Sequence, residues 1–145
     1  MEIVFVEKLI NHWKKSNVYS PPGDLFLIEQ MLKSKNIQLP DDFKHLYRFV
    51  GGPTEEDSEF FYFYPPEELA TMGSLFSLSK NDQFYDVVVF VDYMQSSWWY
   101  GFKMTDDGYQ IGIISSKDRF KVITDSLSDF INLYVEDSGI LYNWE

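Results

Sequence analysis

Apolar residues recur along this chain with two different periods, and the change falls near residue 52. Ile3, Val6, Ile10 and Trp13 stand three and four apart, the repeat that lines up side chains on one face of an α-helix, and they predict a first helix over residues 2–15. Ser20-Pro21-Pro22-Gly23 interrupts that pattern. Asp24 then supplies a capping side chain for a second helix whose apolar stripe is Leu25, Ile28, Met31 and Leu32. Lysines near residues 33–36 suit the negative end of its dipole. A third helix opens at Leu39-Pro40-Asp41-Asp42-Phe43. Pro40 is expected at its first position, where a missing N–H goes unnoticed. Asp41 and Asp42 oppose the positive dipole end, and Phe43, Leu46, Tyr47 and Val50 form the inner stripe. Gly51-Gly52-Pro53 is expected to stop this helix, a glycine taking the left-handed conformation of the cap.

Beyond that point alternation replaces the helical repeat. Residues 59–64 are a run of aromatics ending at Pro65-Pro66 and predict a strand. Residues 67–70 predict one helical turn begun by the prolines, and residues 71–83 show no period and predict a loop. Four further strands are expected over 86–92, 97–104, 109–115 and 120–124, with Asp106-Asp107-Gly108 as a hairpin turn. Ser126 and Asp129 make a capping-box-like pair ahead of a last helix that turns Leu127, Phe130, Ile131 and Tyr134 inward. Helices, then a meander, then one closing helix predict an α+β fold. The N-terminal helices and a C-terminal helix pack on one side of a mainly antiparallel sheet, in a single domain over residues 1–145.

Because neighbouring strand residues face opposite ways, Trp98, Tyr100 and Phe102 are expected in the core, and Trp99, Gly101 and Lys103 on the other face. The same alternation separates Phe61 and Phe63 from Phe60, Tyr62 and Tyr64. If helices cover one face only, Trp99 is exposed, or it sits under the loop, the C-terminal tail or a partner.

Composition adds a reason to look for a partner. Phe, Tyr and Trp make up 19% of the residues, enough to fill a core and leave aromatic surface for contacts. The net charge is −11 and is unevenly placed. Up to Val50 there are seven basic and six acidic residues; from Gly51 on there are five basic and seventeen acidic. Such a field repels nucleic acid and anionic membranes and attracts basic proteins, though acidity also serves solubility alone. No apolar run is long enough to span a bilayer, and the N-terminus, with Glu2 and Glu7 and no basic leader, does not read as a signal peptide. A cytoplasmic location is expected, in agreement with the absence of cysteine.

The usual constellations of catalysis are missing. Without cysteine there is no thiolate nucleophile or zinc cluster. His12 and His45 lie on separate predicted helices with no histidine partner at helical spacing, and both read as ordinary boundary residues. No GxSxG elbow surrounds Ser74, Ser77 or Ser79, and Gly51-Gly52 follows a helix instead of opening one. Asp106-Asp107-Gly108 lacks the remaining ligands of an EF-hand loop. Glu55, Glu56, Asp57 and Glu59, or Glu67 and Glu68, are paired carboxylates of the kind acid–base catalysis uses, but such clusters are usually solvated loops. No enzyme activity, cofactor or metal is expected.

Ile28-Glu29, the run Ile37-Gln38-Leu39-Pro40-Asp41-Asp42-Phe43-Lys44-His45-Leu46-Tyr47 and Gly51-Gly52 resemble the N-terminal signature of the SUKH superfamily. The elements that follow are also similar in order: an aromatic strand into Pro65-Pro66-Glu67-Glu68-Leu69, a strand ending at Val91-Asp92, a hairpin around Gly108, and Asp125-Ser126-Leu127-Ser128-Asp129-Phe130-Ile131. Val50 departs from the asparagine the family often carries before its glycine. The resemblance implies a binding module without shared catalytic residues, in most members a bacterial immunity protein that neutralises a toxin, often a nuclease; an adaptor for signalling or cell-wall-synthesis proteins is the alternative. A basic toxin domain is the expected partner. Glu55, Glu56, Asp57, Glu59, Glu67, Glu68 and Trp99 are the residues expected to bind it, chosen by charge and exposure and not carried over from the family.

Overall fold

Helix α1 spans Val4–Lys15 in the computed structural model, which describes residues 4–145. Its buried face is Phe5, Val6, Leu9 and Trp13; Ile3 lies outside the described residues, and Ile10 is only half-buried. Helix α2 (Leu25–Ser34) begins where Asp24 accepts hydrogen bonds from the N–H groups of Phe26 (3.0 Å) and Leu27 (3.3 Å), the expected cap. Its stripe is a correction. Ile28 and Leu32 are buried, but Leu25 and Met31 are each 39% exposed, because α2 lies along the rim of the fold, against the 3-10 turn Pro66–Glu68.

Helix α3 (Asp41–Tyr47) buries Phe43, Leu46 and Tyr47. It starts one residue later than expected, with Pro40 in the capping position, and ends before the glycines: the Arg48 N–H already bonds to the His45 carbonyl. Gly51 therefore caps nothing. Its N–H reaches the Ser20 carbonyl at 3.0 Å, and a Cβ there would meet the Pro21 carbonyl oxygen at 2.3 Å. The left-handed backbone belongs to Gly52, with φ +107°. Gly51-Gly52 thus brings two chain segments together, pairing β1 (Tyr19–Ser20) with β2 (Gly52–Pro53).

The main sheet has six antiparallel strands among the described residues: β3 (Phe61–Phe63), β4 (Ala70–Thr71), β5 (Val88–Tyr93), β6 (Trp98–Thr105), β7 (Gly108–Ser116) and β8 (Arg119–Thr124). Their order is β3-β5-β6-β7-β8, with β4 extending the β3 edge along β5. Between β4 and β5 lies the short helix α4 (Met72–Leu75). Helix α5 (Leu127–Val135) opens with the Ser126 hydroxyl accepting the Asp129 N–H at 3.0 Å, and a 3-10 turn, Gly139–Tyr142, follows it. The α+β architecture read from the residue pattern is the one observed. None of the described helices is long and apolar enough to cross a membrane.

Alternation along the strands sorts side chains into two cores. Under the helices lie Phe61, Phe63, Phe90, Tyr100, Phe102, Ile111 and Ile113, meeting Trp13, Phe43, Phe130 and Tyr134. Phe43 alone places its ring 4.6 Å from Phe102 and 5.1 Å from Phe90; such aromatic pairs contribute about 0.5–1.5 kcal/mol each beyond area burial. A register shift in β5 between Val89 and Val91 turns both Phe90 and Val91 to this side, as a β-bulge does. On the opposite face, Val89 and Ile114 are covered by the chain between β4 and β5 through Met72, Phe84 and Val87.

That loop-side core depends on two glycines facing each other across β6 and β7, Gly101 and Gly112. A Cβ on Gly101 would lie 2.7 Å from the Val88 carbonyl oxygen, and one on Gly112 2.8 Å from the Lys121 carbonyl oxygen and the Phe120 ring. Backbone atoms cannot yield cheaply, so Gly101→Ala and Gly112→Ala are each expected to lower stability by about 1–3 kcal/mol in urea unfolding. Gly139→Ala, where a Cβ meets nothing within 4 Å, is the matched control and should change little.

Candidate protein-binding surface

The acidic segment ahead of β3 contains one residue unlike its neighbours. Asp57 is 6% exposed, and among the described residues its carboxylate is held by hydrogen bonds and not by a lysine or arginine. One oxygen accepts the N–H groups of Glu59 (2.8 Å) and Phe61 (2.9 Å). The other accepts the Tyr134 hydroxyl, which itself accepts the Trp13 indole N–H at 3.1 Å. Backbone bonds from Asp57 N–H to the Phe61 carbonyl (2.9 Å) and from Phe60 N–H to the Asp57 carbonyl (3.1 Å) close the loop. Asp57 is therefore corrected from a surface contact to the internal anchor of the segment, since a carboxylate withdrawn from water must be fully hydrogen-bonded. Burial first, then the Asp57 charge and hydrogen bond, push the Tyr134 phenol well above its ordinary range.

Anchoring Asp57 turns its neighbours outward. Glu55 and Glu59 are exposed and Glu56 is half-buried. Phe60 is 48% exposed and held at φ +73°, a conformation that costs a bulky residue of order 1–3 kcal/mol. Its carbonyl accepts the Met94 N–H at 2.8 Å. Met94 begins the turn between β5 and β6, where Met94, Gln95 and Ser96 are left-handed in succession, at φ 48°, 51° and 68°. Asp92 clamps that turn by accepting the N–H (2.7 Å) and hydroxyl (2.8 Å) of Ser96. Met94 is thereby left 43% exposed beside Phe60.

More aromatic surface adjoins this pair. Trp98 stacks on Tyr93 with ring centroids 4.4 Å apart, and Trp144, 37% exposed, leans on Trp98 at 6.4 Å. The Tyr142 hydroxyl bonds to Asp137. Burial raises the Tyr93 phenol pKa, and the charges of Asp137, Glu59, Asp57 and Glu56 raise it further, so these acids converge on one corner of the sheet. The corner joins two exposed apolar residues, linked by the Met94–Phe60 backbone bond, to the exposed carboxylates of Glu59 and Asp137.

The remaining predicted residues lie elsewhere. Glu67 and Glu68 are exposed in the 3-10 turn after β3, and Glu68 accepts the Tyr62 hydroxyl at 3.1 Å. Acids thus bracket the edge strand β3, Glu55, Glu56 and Glu59 before it and Glu67 and Glu68 after it. Trp99 is on the loop-side face as expected, but Phe76 meets its ring edge-on at 5.1 Å; the loop, not the C-terminal tail, covers it, and it is only half-exposed. Sequence reasoning missed Met94 and Asp137, which carry no local signal, and left Phe60 on an outer face without singling it out. His12 and His45 rest against Tyr134 and Phe49, at 4.9 and 5.2 Å.

Among the described residues no group of three or more His, Asp or Glu side chains is placed to hold a metal ion. Two concavities of about 570 and 550 Å³ lie away from the corner, between α2 and α3 and between α3 and the β6–β7 hairpin. A family model described as the SMI1 / KNR4 family (SUKH-1) matches residues 21–133, well over half of the chain. No curated protein matches it.

Two outcomes follow from the hydrogen bonding. Tyr134→Phe removes a side-chain donor to the buried Asp57 carboxylate and should cost about 1–3 kcal/mol in urea unfolding, with increased proteolytic nicking between residues 54 and 60. Tyr62 and Tyr64 are raised from 10.0 to about 12, by burial first and by the Glu68 hydrogen bond and the Asp92 charge respectively. A raised folded-state pKa gives stability that is complete below pH 10 and is lost as pH climbs towards 12. Urea midpoints should therefore hold steady up to pH 10 and fall above it, alongside a delayed phenolate absorbance rise at 295 nm.

Proposed function

Because the chain belongs to the SMI1/KNR4 (SUKH-1) family, we propose that it is a protein-binding module whose acidic corner captures a basic partner, and that it acts as an immunity protein against a cognate toxin. The observation that carries this reading is the pairing of Phe60 and Met94, two large apolar residues left exposed on left-handed backbone in the acidic segment that holds Glu55, Glu56 and Glu59. Left-handed backbone of this kind is retained where surrounding structure enforces it, and it clusters at binding sites. An exposed aromatic with a charged rim is the composition of an interface hot spot.

The two components act at different ranges. Seventeen acids from Gly51 on produce a field that accelerates encounter with a basic domain and orients it. Close in, Glu55, Glu56 and Glu59 pair with cations of the partner while Phe60 and Met94 fill an apolar recess. Glu67 and Glu68 extend contact along the β3 edge, and the exposed part of Trp99 adds to it from the loop-side face of β6. The Asp57 anchor means that little ordering remains to be done on binding, which lowers its entropic cost. A nuclease toxin is the class that fits best, since masking the cations that hold its nucleic acid would both bind and inactivate it.

Co-expression with each neighbouring open reading frame tests the proposal: one product should be toxic alone and harmless with this chain. In the purified complex, Phe60→Ala with Met94→Ala should weaken binding by about 10–100-fold, mainly through faster dissociation. Glu56→Lys with Glu59→Lys should slow association and flatten its salt dependence. Absence of any toxic neighbour would remove the proposal's basis, and several partners of moderate affinity would instead mark a regulatory adaptor.

A further inference from the structure

We propose that the groove between α2 and α3 is a second docking site, made for an apolar helical segment that carries carboxylates. This goes beyond the acidic corner and stands whether or not a toxin binds there. The groove encloses about 570 Å³, within the range of built ligand sites. Its floor includes Ile28, Leu32 and Leu39 and its rim includes Lys33, Lys44 and Arg48, with Glu29 the one acid among the lining residues. All four rim charges are exposed. The local balance is positive on a chain whose net charge is −11, so the occupant this groove selects is opposite in sign to the one attracted by the rest of the surface.

The form of the occupant follows from α2. A helix with apolar residues around most of its circumference is normally enclosed. Yet Phe26 is 65% exposed and Leu25, which lines the groove, 39%. At 3.6 residues per turn Phe26 lies about 20° around the helix from Lys33 and Leu25 about 80° from it, so Phe26 shares the Lys33 flank and Leu25 lies between that flank and the buried Ile28 and Leu32. Ten residues of α2 run about 15 Å at 1.5 Å per residue, the length of two to three turns of a partner helix. Two helices flanking an apolar trough with charged lips form the arrangement that accepts an amphipathic helix by its apolar face. Lys35 does not belong to this rim, because its ammonium is taken by the carbonyls of Glu67 (2.7 Å) and Leu69 (3.0 Å). It ties α2 to the 3-10 turn and so holds one wall of the groove in place.

Net charge and groove charge make opposite forecasts, which gives a clean experiment. Two fluorescently labelled peptides of about four helical turns share leucines at i, i+3, i+4 and i+7 and differ only in carrying glutamate or lysine on the flanks. Fluorescence anisotropy with the intact chain should show the glutamate peptide binding at least about tenfold more tightly. Lys44→Glu with Arg48→Glu should abolish or reverse that preference. Both positions are exposed, and unchanged thermal unfolding of the double variant would confirm that the fold is intact. Equal or tighter binding of the lysine peptide would overturn the proposal, as would glutamate-peptide binding that ignores the double substitution. Sedimentation of the chain alone supplies a separate check: a dimer that Phe26→Ser dissociates would assign α2 to a second copy and overturn it as well.

Discussion

A carboxylate enclosed without a cation is costly unless each of its oxygens is hydrogen-bonded, and Asp57 meets that condition by drawing on three parts of the molecule. Two N–H groups come from its own loop and a hydroxyl comes from α5. Through that hydroxyl it reaches Trp13 on α1. The geometry of the outward-facing residues is a by-product of this arrangement. With Asp57 turned inward and the chain closed back on Phe61, Glu59 and Phe60 are left projecting from the sheet. The corner that the proposed function assigns to a partner is therefore positioned from inside the core.

Much of the architecture was legible because it rests on period. Alternation separated Phe61 and Phe63 from Phe60, Tyr62 and Tyr64, and Tyr100 and Phe102 from Trp99. The caps at Asp24 and Ser126 sit where local chemistry places them. What escaped depends on contacts distant in sequence. Asp57 is one acid among four, and what draws it inside is the Tyr134 hydroxyl, 77 positions away, together with two N–H groups of a loop whose fold its neighbours do not announce. Gly51 looked like a helix cap, but its lack of a side chain serves the approach of Pro21 from an earlier segment. The α2 stripe had the right spacing, and what lies against a helix is not written in its own repeat. Trp99 was placed on the correct face, yet no period in residues 71–83 announced that they would fold over it.

The charge asymmetry acquires a spatial meaning once the fold is known. The nearly neutral first third of the chain forms α1, α2 and α3, and the acidic remainder forms the main sheet, its turns and α5. Cations on α2 and α3 and carboxylates around β3 therefore sit on different elements, joined where Lys35 grips the backbone of the 3-10 turn. A molecule built this way presents opposite signs to different neighbours without requiring either region to move.

The turn at Met94-Gln95-Ser96 bears on how such a protein can change. Three successive residues hold a backbone conformation that glycine or asparagine would adopt at less cost. Replacing Met94 by glycine would relax the hairpin and, by that measure, make the fold more robust. It would also delete one of the two apolar groups at the centre of the acidic corner. Under the proposed function, selection for robustness and selection for partner recognition pull on the same position in opposite directions. A chain kept for its fold alone would drift towards Asn-Gly at this turn, and one kept for what it holds would not.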